Sequence, residues 1–254
     1  MVINETELLR DAYDQIQFRF PGLVLDSFKV ATDVVDHRNF WKPPAVRTML
    51  LAESHVYTTE SENSFRIDYP KELNQYNLPQ NFVRLVYCLA YGEQLLSPQT
   101  IKNTGTWQYW KIFAACASDT PKIDYSPVLK CNNYSEQKRI LDKFSILLKL
   151  KEKGVWLVDC SSVALYGRAG KRTSKQKRDI LRICWETYIR SLIEETKPKF
   201  VLIIGKRVGK IVESDLIRMG IPTMVQPQPQ ARLSSEKQAQ VLQIYQQICN
   251  RNID

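Results

Sequence analysis

Four apolar runs in the chain each end abruptly in residues that a core does not require. Met49-Leu50-Leu51-Ala52 passes into Glu53-Ser54-His55, and Trp156-Leu157-Val158 into Asp159-Cys160-Ser161. Leu202-Ile203-Ile204 leads to Gly205-Lys206-Arg207, and Thr223-Met224-Val225 to Gln226-Pro227-Gln228. A carboxylate set directly after a buried strand is costly unless solvated or paired, which singles out Glu53 for chemistry. It suits orienting a water or stabilising developing positive charge. His55 reads equally as an alternative base, a phosphate ligand or a surface-loop histidine. Lys206 and Arg207 lack the spacing of a phosphate-binding loop, but at a helix N-terminus they can touch phosphate. The stretch 168–178 carries Arg168, Lys171, Arg172, Lys175, Lys177 and Arg178. It suits a polyanion held with steep salt dependence, and it equally describes a solvated loop.

These strand ends need a scaffold that brings them together. Continuously apolar strands alternate with helical patterns, which predicts a parallel sheet covered on both faces. The strands are expected near 46–52, 154–160, 198–205 and 222–225. Helices are expected within 1–40 and at 81–92, 107–117, 179–195, 206–219 and 234–250, with a long loop over 53–80. The stretch from 118 to 153 is variable and Lys-rich. In such sheets ligands bind beyond the carboxyl ends of the strands, where all four polar ends would converge. The fold class is therefore α/β, a three-layer α/β/α sandwich on a central, mainly parallel four-stranded sheet. A single domain over 1–254 is expected, with 1–44 a helical elaboration and 61–150 a variable insert.

The 254 residues carry 36 Lys plus Arg against 27 Asp plus Glu, a net charge of +9 that suggests a polyanionic partner. No apolar run approaches the roughly 18 residues needed to cross a bilayer, so no membrane partner is expected. The polar, acidic start MVINETELLRDAYDQ is unlike a secretion signal. Six Cys and two His without a C-x-x-C pair predict no metal and no cofactor. Cys88 and Cys160 read as small core residues, and reduced thiols fit a cytoplasmic protein; a monomer is expected. Trp107, Tyr109 and Trp110, at helical spacing, read as core.

The order of the pieces LLAESHVY (50–57), GVWLVD (154–159), FVLIIGKRVGKIV (200–212) and VQPQPQARLS (225–234) resembles the uracil-DNA glycosylase superfamily. Its members carry GQDPYH or GEAPG, then GVLLLN, a strand ending in Gly, and HPSP. The resemblance covers about 45–60 and 150–250. It implies a DNA glycosylase that flips a nucleotide from single- or double-stranded DNA and hydrolyses its N-glycosidic bond without metal, leaving an abasic site.

The departures shape the expected specificity. The water-activating aspartate of GQDPYH becomes Ser54, which leaves Glu53 as the carboxylate of that motif and Ser54 for the sugar or a phosphate. The GEAPG branch also has Glu there, but the cysteine pattern of its iron–sulfur cluster is missing. Histidine and serine of HPSP become Gln226 and Gln228, with Gln226 expected to donate to the base O2 or a phosphate and Gln228 to contact the DNA. The asparagine that reads uracil becomes Asp159. An ionised carboxylate cannot donate to O4, whereas a protonated one in a dry pocket satisfies the amino group and N3 of a cytosine. Asp159 reads alternatively as a helix cap or the partner of a loop Arg. Val56 replaces the tyrosine that closes the family's pocket against C5 substituents, unless it is simply a buried loop residue. Together Asp159 and Val56 imply a C5-modified cytosine. They make the chain similar to the superfamily members that excise glucosylated hydroxymethylcytosine from phage DNA in bacterial defence. Phe65 or Tyr69 is expected to stack on the flipped base, and Arg232 and Leu233 to enter the vacated duplex space. Two other readings stand beside this one: uracil repair with rewired residues, and a catalytically silent DNA-binding protein.

Overall fold

A computed structural model describes residues 4–97, 106–130, 134–167 and 172–251. Its sheet has four parallel strands, β1 (Thr48–Ala52), β2 (Val155–Asp159), β3 (Phe200–Ile204) and β4 (Thr223–Gln226), in the order β2-β1-β3-β4. β1 is central, and all five of its residues are buried. That double-sided burial explains its unbroken apolar sequence. The register sets Ala52 opposite Asp159 and Ile204 opposite Gln226, so the carboxyl ends lie level. The ladder continues one step further, where the amide of Ser161 donates to the Glu53 carbonyl at 3.0 Å. Glu53 and Asp159 are thereby fixed side by side at the carboxyl ends of β1 and β2.

Helices cover both faces of this three-layer α/β/α sandwich. One group is α1 (Glu5–Arg19), α2 (Phe28–Phe40), α6 (Ser174–Cys184), α7 (Arg190–Thr196) and α8 (Lys206–Arg218). The other is α4 (Trp107–Ala117), α5 (Glu136–Glu152) and α9 (Ser235–Asn250), while α3 is a single turn, Glu60–Asn63. Their starts are written locally: Ser27, Ser135 and Ser234 cap α2, α5 and α9 through side-chain oxygens. Thr173 and Gln176 form a reciprocal capping box that starts α6. α6 and α7 are joined by a π-helical stretch, Trp185–Ile189. One hydrophobic cluster runs from Leu9 to Cys249, and Cys88 and Cys160 are buried within it.

Three expectations for the elements need correction. Residues 81–92 form no helix; they run as buried turns, with Phe82, Val83, Cys88 and Ala90 fully inside. Apolarity there reflects burial on every side rather than one helical face. The Lys-rich stretch instead holds α5, whose Ile140, Phe144, Leu147 and Leu150 make a buried stripe that the many lysines mask in a reading by composition. The loop 53–80 also contains α3 and a 3₁₀ segment, Lys71–Tyr76. Among the described residues no helix is long and apolar enough to cross a membrane.

Candidate active site

A cavity of about 250 Å³ opens beyond the carboxyl ends of β1 and β2. Glu53, His55, Val56, Asp159, Tyr109, Tyr166 and Gln228 line it, together with Arg84, Tyr91 and Gln230. The N-terminal elaboration supplies a support and the insert 61–150 supplies wall residues, so both contribute to the site.

Glu53 is buried and fully engaged. One carboxylate oxygen is ion-paired with Arg207 on the first turn of α8; the other accepts from the Tyr166 hydroxyl at 2.8 Å and from the Gln228 amide. Arg207 also donates to the Tyr166 oxygen at 3.0 Å, which closes the cluster. Gly205 makes room for it: at φ +106° it holds a backbone that side chains disfavour, and a Cβ there would lie 2.9 Å from Gln228. The Tyr166 ring carries the Lys177 ammonium 3.8 Å from its centroid. A cation thus sits on one aromatic wall of the cavity.

Asp159 is treated differently. Its Oδ2 is buried without a hydrogen-bond partner, and so is the Nδ1 of His55, 3.9 Å away. Burial pushes the Asp159 carboxyl up to about 6, against the opposing charges of His55 and Arg38. Burial pulls the His55 ring down, but the hydrogen bond and charge of Asp26, with Asp159, outweigh it and the net shift is upward. Asp26, in the turn before α2, accepts from His55 Nε2 at 3.2 Å and from the amides of Thr58 at 3.0 Å and Ala164 at 2.7 Å. One fully buried carboxylate therefore ties together three distant segments.

The structure brings Glu53, Ser54, His55, Val56, Asp159 and Gln228 to one cavity and removes others from it. Ser54 accepts from the Leu165 amide at 3.2 Å, and Val56 donates its amide to the Arg84 carbonyl at 3.1 Å. Gln226 does not line the cavity: its carbonyl holds the Gly205 amide at 2.8 Å, and Pro227 then carries the chain off the ladder so that Gln228 reaches Glu53. Phe65 and Tyr69 pack against the core instead, with the Tyr69 hydroxyl on the Pro79 carbonyl at 3.0 Å. The aromatic walls are Tyr91, Tyr109 and Tyr166. Tyr109 is therefore a site residue, while Trp110 is core and Trp107 is exposed.

His55 is buried rather than a surface histidine, and Asp159 ends a strand and caps no helix. Arg207 serves Glu53. Arg172 is buried against the Val24 carbonyl at 2.8 Å, which takes it off the basic surface. Lys206, Arg232 and Leu233 are exposed. Arg168 and Lys171 lie outside the described residues. Asp26 had no signal in the sequence, being an isolated acid between two helices. Tyr166 had a faint one, as an aromatic soon after a strand end. Compared with models of known protein families the chain matches none, and it matches no curated protein.

Proposed function

We propose that the protein is a monofunctional DNA glycosylase acting on a C5-modified cytosine, with the glucosylated hydroxymethyl form as the leading substrate. The observation that carries this is the pairing of two carboxylates in one cavity: Glu53 held by Arg207, and Asp159 raised to about 6 with a free buried oxygen. Environments that treat neighbouring acids so differently are how one site separates an electrostatic role from a proton-donating one. Protonated Asp159 donates to N3 of a cytosine and accepts from its exocyclic amino group. The Glu53 charge, fixed by Arg207 and Tyr166, faces the sugar cation as the glycosidic bond opens.

Size supports a substituent at C5. A cavity of roughly 150 Å³ accommodates a benzene ring, so about 250 Å³ leaves space beyond a pyrimidine. Val56 forms wall where a larger aromatic would fill it. The exposed Lys175, Arg178, Lys206 and Arg232 supply phosphate contacts in this reading. Incubation with DNAs carrying uracil, cytosine, hydroxymethylcytosine or its glucosylated form, followed by alkali, tests it. Strand breaks confined to the bulky cytosine are expected. Breaks at uracil alone would return the protein to base repair, and binding without breaks would make it a silent DNA-binding protein.

A further inference from the structure

Asp26, His55 and Asp159 form a line of buried groups drawn from three parts of the chain. Asp26 acts only as an acceptor, so His55 Nε2 is the donor toward it, and Nδ1 faces Asp159 Oδ2. Were Nδ1 bare and Asp159 ionised, two lone pairs would face each other in a dry site. One proton between them relieves that. We infer that His55 and Asp159 share a single proton, that Asp26 orients the ring for it, and that Asp159 delivers this proton to a ring nitrogen of the departing base. The identity of the acceptor rests on the glycosylase reading; the shared proton does not.

The step balances. The C1′–N1 bond breaks and its electron pair goes to the base, which takes the Asp159 proton at N3 and leaves neutral. Water oxygen bonds to C1′, and the proton it loses returns to the His55–Asp159 pair. One water is consumed, and nothing is oxidised or reduced. Closing the 3.9 Å separation to hydrogen-bond range takes a small side-chain shift, of the kind catalytic contacts make on binding substrate.

The charged and titratable groups facing the pair are Asp26 before α2, Arg38 on α2, Glu53 after β1, Tyr87 in the turns, Tyr109 on α4 and Arg172 before α6. Asp26 and Glu53 favour keeping the proton, and Arg38 and Arg172 oppose it. Such a pair titrates as a unit rather than as two independent groups.

The chain has two histidines, so ring ¹⁵N shifts of the labelled full-length protein resolve both. His37, pulled down to about 4 by burial, is the internal control. His55 is expected to titrate above the ordinary value of about 6.5, and Asp159→Asn to lower its midpoint by about one unit while leaving His37 unmoved. His55→Gln is expected to slow base release about 100-fold and to move the alkaline limb of the pH–rate profile downward, because Asp159 alone holds the proton less well. A His55 midpoint indifferent to Asp159→Asn overturns the relay, even if base is released. A midpoint that follows Asp159 while no DNA releases a base leaves the shared proton standing and removes the glycosylase reading.

Discussion

Glu93 and Asp159 are both carboxylates withdrawn from water, and the fold surrounds them in opposite ways. Glu93, fully buried at the start of a 3₁₀ turn, receives the Arg139 guanidinium on both oxygens, at 3.0 and 3.1 Å from Nε and 2.6 Å from Nη2, and the Lys143 ammonium as well. Burial alone would raise its pKa, but the two cations outweigh burial and hold it below the usual carboxylate value. Asp159 has a histidine at 3.9 Å and a buried oxygen with no partner, and it rises to about 6. The same chain can satisfy a buried acid completely, at Glu93 and even at Glu53 on the cavity wall, so the incomplete satisfaction is particular to Asp159. Glu93, like Glu53, is met by a cation carried on a helix, whereas Asp159 is left room to change protonation.

Breaking the structural side of this contrast has the largest effect. Glu93→Ala strands Arg139 and Lys143 without their counter-ion and is expected to cost about 3–5 kcal/mol in denaturant unfolding. Asp159→Asn is expected to do the reverse. Folded Asp159 keeps its proton up to about 6, whereas an unfolded aspartate loses it near 3.8. Between those values the folded state binds more protons, so stability falls as pH rises through this window and stays lower above it. The substitution should therefore stabilise the protein by up to about 3 kcal/mol at pH 8, with little gain at pH 4. Unfolding curves at the two pH values check the sign. Gly205→Ala gives the smallest change, about 1–2 kcal/mol from its positive φ; it also pushes Gln228 away from Glu53, which base-release rates would register.

The sheet was legible because its strands are buried on both faces and so spell unbroken apolar runs. Even the convergence of their polar ends follows from parallel register. The helix α5 was hidden behind Lys138, Lys143, Lys149 and Lys151, two of which, Lys143 and Lys149, pair with acids that lie elsewhere in the sequence. The turns at 81–92 looked helical because uniform burial carries no period. At the site, residues directly after strands were found from spacing, whereas Asp26 and Tyr109 arrive from other layers by tertiary packing. Arg207 and Gln228 were recognised as polar but assigned outward to DNA. Only the geometry of Glu53 turns them inward, because a sequence does not state which charge a guanidinium will neutralise.

The proposed role of Asp159 is tested most directly by measuring free base released by the wild type and Asp159→Asn from matched DNAs containing glucosylated hydroxymethylcytosine or uracil. An asparagine amide can both donate to uracil O4 and accept from N3–H, whereas an ionised carboxylate can only accept. The account predicts that the substitution abolishes release of the modified cytosine and shifts preference toward uracil. Unchanged release of the modified base by Asp159→Asn would contradict it.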